Sequence, residues 1–114
     1  MNIIVEDLAK KNLEDLYYYN LQFSSINAEE TDLDIYALIY DLEDSPYIGR
    51  YVKDISDKHF RELVYRKNRN TSYRILYYIS EKTKTIYILH VSNFKQNFKR
   101  ILKRYNYFKN YYEL

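Results

Sequence analysis

Cysteine is absent from this sequence, and the absence excludes a disulfide framework, thiolate catalysis and a thiolate metal site. It fits a reducing compartment, and a cytoplasmic protein is the expectation. Glycine and proline occur once each, at Gly49 and Pro46, which argues against long flexible linkers. No apolar run approaches the roughly 18 residues of a membrane span. The start, MNIIVEDLAKK, lacks the pattern of a signal peptide, so no membrane association is expected. Only two histidines are present, His59 and His90, and neither has a carboxylate or second histidine at metal-ligand spacing, so no metal and no cofactor are expected. Tryptophan is missing too.

Tyrosine is abundant instead, with 16 in 114 residues. Such a count is expected of A·T-rich coding, and tyrosine is able to fill a core while keeping its hydroxyl at the rim. It also suits a surface of rings that stack on bases or on a partner. The length predicts one domain spanning 1–114.

The net charge of +2 hides a division. Residues 1–57 hold 13 acids and 4 bases, and residues 58–114 hold 3 acids and 14 bases. A split of this kind predicts either a basic face for an anionic partner or neutralisation of one half by the other within the fold.

Along the chain, Ile3-Ile4-Val5 reads as a short buried strand. Apolar residues then recur at helical spacing from Glu6 to about Phe23. Asn27 with Glu30 has the form of a capping box, which predicts a second helix over 28–42. Leu33, Tyr36, Ala37 and Tyr40 are expected on its buried face, widened by Ile35, Leu38, Ile39 and Leu42. Pro46 ends this region. A loop over 45–58 holds Gly49, where a positive φ would carry no steric cost.

Three strand-like segments follow, 60–66, 73–80 and 85–91, joined by short polar connectors, so they form a meander. Helical spacing returns from Asn93 to about 112, with Phe94, Phe98, Ile101, Tyr105 and Phe108 on one face of a basic, aromatic helix. The predicted architecture is α+β, in the order β-α-α-β-β-β-α. A helical hairpin packs on a small, mostly antiparallel sheet, with the first strand at an edge or parallel to a later strand. Alternation puts Tyr73, Ile75, Tyr77 and Ile79 on the side facing the helices, and Arg74, Leu76 and Tyr78 on the other.

Few residues offer chemistry. His90 is suited to proton transfer near neutral pH or to a plain hydrogen bond inside its strand. Arg74 either grips a phosphate in bidentate fashion or pairs across strands with Glu62. Arg50 is expected to fix its loop against the acidic helices. Lys95, Lys99 and Lys103, with Arg100 and Arg104, decorate the last helix and suit phosphates or an acidic protein segment.

Three stretches together resemble one known family. SPYIGRYVKDI (45–55) is similar to the Pro-x-x-Gly-Arg loop of the RelE/ParE toxins of bacterial type II toxin–antitoxin pairs. RELVYRKNRNTSYRILYYI (61–79) resembles the family's Arg-Glu-Leu and Tyr-Arg-Ile-x-Tyr hairpin, and IYILHV (86–91) its last strand. The resemblance implies a small toxin that inhibits growth and is neutralised by a cognate antitoxin. RelE-type members cut mRNA, usually on the ribosome, and ParE-type members poison DNA gyrase. If this chain is an mRNA endonuclease, the resemblance and the available chemistry nominate Arg61, Arg74, His90 and Lys95. Lys95, Lys99, Arg100, Lys103 and Arg104 are nominated for target or antitoxin binding. Two departures bear on the choice. Glu62-Leu63-Val64-Tyr65 stands where RelE-type enzymes alternate basic residues, and Val91-Ser92-Asn93-Phe94-Lys95-Gln96, with only Lys95 charged, stands where the family has a basic turn. The first favours the ParE-like reading, and the second weakens both detailed assignments, the ribonuclease more. A degenerate, non-toxic member is the remaining alternative.

Overall fold

In the computed structural model, described over residues 1–94 and 98–112, two charged helical layers flank one sheet. The elements are β1 (Asn2–Val5), α1 (Asp7–Leu21), α2 (Ser25–Asp41), β2 (Arg50–Tyr51), β3 (Phe60–Arg66), β4 (Ser72–Ser80), β5 (Thr85–Asn93) and α3 (Phe98–Tyr112). The sheet order is β1-β5-β4-β3-β2. β3, β4 and β5 are the expected antiparallel meander, and β1 joins β5 in parallel at the edge. β1 is less buried than expected: Ile3 and Val5 are half-buried and Ile4 is 46% exposed, because an edge strand is covered on one face only.

α1 buries Ala9 and Leu13, with Leu16 partly covered, a helical stripe against the sheet. The second helix starts earlier than predicted. Ser24, not Asn27, is the N-cap, and its hydroxyl accepts from the Asn27 backbone N–H at 3.1 Å. The face packed on the sheet is Ala28, Thr31, Ile35 and Ile39, with Leu33 and Tyr40 68% and 53% exposed. The two-residue strand β2 falls in what reads as loop and pairs Arg50 with Glu62. The last helix begins at Phe98 and not at Asn93, because β5 runs on through Asn93 and Phe94 lies in a turn.

Strand alternation works as expected. Tyr73, Ile75, Tyr77 and Ile79 pack under α1 and α2. Leu76 and Tyr78 face the other way and meet Phe60, Leu89 and Phe108 of α3. The register slips between Leu76 and Tyr77, where Leu76 pairs with His90 and Tyr77 with Ile88. The extra residue, Leu89, is a bulge in β5.

Tyr77 ties the 46–49 loop to the sheet. Its hydroxyl donates to the Pro46 carbonyl at 2.8 Å and accepts from the Gly49 N–H at 2.9 Å. Gly49 has no positive φ, so the expected reason for glycine is replaced by a steric one. A Cβ there would sit 2.5 Å from the Tyr77 hydroxyl and 2.8 Å from the Glu62 carbonyl. Three further tyrosines clasp surface acids: Tyr47 donates to Glu81, Tyr65 to Asp34 and Tyr105 to Asp57. Burial first, and the accepting carboxylate second, pushes each phenol from 10.0 up to about 12.

Gly49→Ala is expected to cost about 2 kcal/mol, because a sheet carbonyl and a buried ring must both give way. Urea unfolding measures this; a cost within about 0.5 kcal/mol of zero would contradict the steric reading. The three clasps stabilise fully below the ordinary tyrosine value and lose their contribution as pH climbs toward about 12. Thermal melts across that alkaline window should fall less steeply in a Tyr47→Phe/Tyr65→Phe/Tyr105→Phe variant. Parallel curves would refute the clasps.

Candidate functional site

The sheet face under α3 carries a row set by the register: Arg50 pairs with Glu62, Glu62 with Leu76, and Leu76 with His90. Arg74 lies one step along β4 on the same face, opposite Ser92. Glu62 is 4% exposed and holds both arginines. Its Oε1 accepts from Arg50 Nε at 2.8 Å, and its Oε2 lies 2.7 Å from Arg74 Nε. The second contact lies off the N–H axis, so it is an ion pair more than a hydrogen bond. Arg50 therefore fixes its loop to a strand carboxylate and not to the acidic helices.

Phe94 closes this cluster from above. Its backbone N–H donates to the Ser72 carbonyl at 2.9 Å. Its ring lies 4.6 Å from the Arg74 guanidinium and 5.4 Å from that of Arg50. The sequence placed Phe94 on the core stripe of the last helix. Nothing in helical spacing distinguishes a ring that caps two cations.

Arg61 is on the opposite sheet face, so the structure does not bring it together with Arg74 or His90. It pairs with Tyr77 in register. Its guanidinium donates to the carbonyls of Lys58, Tyr47 and Gly49 at 2.8, 3.1 and 2.9 Å. It also lies over the rings of Tyr47 and Tyr51. Its Nη1 bonds and both ring contacts gather the 45–51 loop, and its Nε bond ties in Lys58. Lys95 lies outside the described residues.

His90 sits where β5 has run past the end of β1. There the Val91 N–H is satisfied by the Asn12 side chain of α1, at 3.1 Å, instead of by a strand. His90 opens into a groove of about 410 Å³ between α1 and α3, shared with Asn12, Arg100, Lys103, Arg104 and Tyr107. Burial pushes its pKa down, and Arg104 and Arg100 push it further down. Arg104 is partly engaged, donating to the Leu89 carbonyl at 3.4 Å and lying over Tyr107.

The charge division is not neutralised inside the fold. α2 carries five acids and no base, and α3 carries five bases and no acid. They lie on opposite faces of the sheet.

Comparison with known proteins adds a consistent result. The family described as ParE toxin of type II toxin–antitoxin system, parDE, matches residues 3–105. A structure of the chromosomal ParDE system from P. aeruginosa is 17% identical, with a TM-score of 0.63, and the match covers 82% of this chain and 95% of that one. The RelBE2 toxin–antitoxin complex from Mycobacterium tuberculosis is 19% identical, with a TM-score of 0.55, covering 81% and 95%. An E. coli RelE toxin, carrying two arginine-to-alanine substitutions and in the free state, is 14% identical, with a TM-score of 0.55, covering 82% and 83%. At such identities the structures share the fold with this chain. No curated protein matches the chain by sequence.

Arg74→Ala is expected to cost about 3 kcal/mol, since it leaves a buried carboxylate with one half-exposed partner. Arg50→Ala should cost about 1 kcal/mol, because the Arg50 side chain is 57% exposed. Denaturant unfolding of the two variants checks the asymmetry, and equal costs would contradict it.

Proposed function

Since the chain belongs to the ParE toxin family of type II toxin–antitoxin systems, we propose that it arrests growth by binding DNA gyrase, in the cytoplasm, without cutting RNA. A cognate antitoxin is its partner and holds the activity off. The observation that carries the gyrase reading is the engagement of Arg74. A phosphate-gripping arginine needs its guanidinium open to substrate. Here Glu62 occupies it from within the sheet and Phe94 covers it. Arg61, nominated for the same chemistry, is turned to the other face and spent on loop carbonyls.

A second reading keeps one supporting observation. Burial lowers the His90 pKa, and Arg104 and Arg100 lower it further, which favours the neutral imidazole that takes a proton from a ribose hydroxyl. An mRNA endonuclease of the RelE kind would be built around this histidine and not around Arg74.

Purified gyrase separates the two. With the protein at stoichiometric excess, supercoiling is expected to fall and broken DNA to accumulate. Unchanged supercoiling, together with new mRNA ends in induced cells that disappear with His90→Gln, would replace the first reading with the second.

A further inference from the structure

The groove between α1 and α3 differs from the clasped arginines in one respect: Arg104 is engaged, but its other two cations are not spent. Arg100 and Lys103 are exposed, and among the described residues neither forms an ion pair within the chain. Among the described residues, no carboxylate lines the groove. Acids line the adjoining pockets: Glu6 and Asp7 with Arg104 and Tyr107, and Asp15 with His90. The five acids of α2 lie beyond the sheet.

We propose that this groove docks the phosphodiester backbone of duplex DNA, with Arg100 and Lys103 on the phosphates and Tyr107 flanking them. Charge complementarity selects the occupant. α3 presents bases and no acid over 15 residues, and from Lys99 to Lys109 the bases span about 15 Å at the rise of an α-helix. Duplex DNA offers an equally continuous line of negative charge. An acidic peptide docked in a groove relies on apolar anchors at helical spacing. Among the described lining residues Leu8 is the one aliphatic side chain, and the rest of the apolar surface is the Tyr107 ring and the stems of the cations, which is no anchor series of that kind.

His90 gives the site a second property. In the free protein it faces Arg100, Lys103 and Arg104 from α3, Asn12 and Asp15 from α1, and Tyr73 across β4. A phosphate entering the groove supplies the counter-charge that the arginines oppose, so DNA binding takes up a proton and tightens as pH falls. The contact stands apart from gyrase, because it belongs to the chain alone.

Fluorescence anisotropy of a labelled, mixed-sequence duplex of about 20 base pairs, titrated with the full chain and no gyrase, tests this. The expected log–log slope of affinity against salt is about −2 to −3, for two to three phosphates. The Arg100→Ala/Lys103→Ala variant should bind at least about tenfold more weakly, with a slope about 2 units shallower, and with an unchanged circular dichroism spectrum. His90→Gln should keep the affinity at about pH 8 and lose the gain at about pH 6. No binding at low salt, an affinity indifferent to the double variant, or equal displacement by a polyglutamate peptide would overturn the proposal. A His90→Gln variant that retained the pH dependence would remove the histidine from it. Supercoiling inhibition that persists without DNA binding would defeat this inference and leave the gyrase reading intact.

Discussion

One buried carboxylate organises the functional half of this protein. Glu62, in the middle of β3, is flanked by Arg50 from β2 and Arg74 from β4. Burying the three charges separately would be prohibitive. Together they hold a two-residue edge strand onto a sheet that backbone pairing alone would secure poorly. The Phe94 ring then lies over both guanidiniums, so the turn leaving β5 is fixed by the same cluster. On the reverse face, Tyr77 and Arg61 fasten the same loop through its carbonyls and the Gly49 N–H. The loop is thus held from both sides of the sheet.

The sheet also keeps charges apart. An acidic α2 and a basic α3 face away from each other, separated by a layer of Ile, Leu and Tyr. Self-neutralisation would have made a bland surface. Separation makes a molecule with two chemically opposite sides, suited to two different partners. For a member of a toxin–antitoxin pair, which has to meet both an antitoxin and a target, that arrangement has an evident use.

Much of this was legible in the sequence, for identifiable reasons. Period-2 alternation in Tyr73–Ile79 fixed which side of β4 meets the helices, since a one-residue slip would expose the whole set. Periodicity and short connectors predict the order β-α-α-β-β-β-α, and the family resemblance in 45–55, 61–79 and 86–91 agrees with it. Other features depend on geometry that spacing does not encode. β2 is too short to leave a pattern. The bulge at Leu89 is defined only by its partner strand. Asn27 and Ser24 are both good N-caps, and the local pattern at Asn27–Glu30 favoured the wrong one. Gly49 was read for its φ, whereas a ring and a carbonyl dictate it. Glu62 was the available clue at the site: an acid among β-branched and aromatic neighbours, aligned with two arginines, signals a buried pair. That clue identified Arg74's partner but not the second arginine.

The central claim is that the Arg74 charge is satisfied within the protein and is not offered to a phosphate. Nitrogen-15 NMR of the arginine Nε–Hε groups tests it directly. Arg74 Hε, buried beside Glu62, is expected to exchange slowly with water and to keep its shift when RNA or DNA oligonucleotides are added, and in Glu62→Gln its shift should begin to follow them. Rapid exchange in the native protein, with a shift that follows added oligonucleotide, would contradict it.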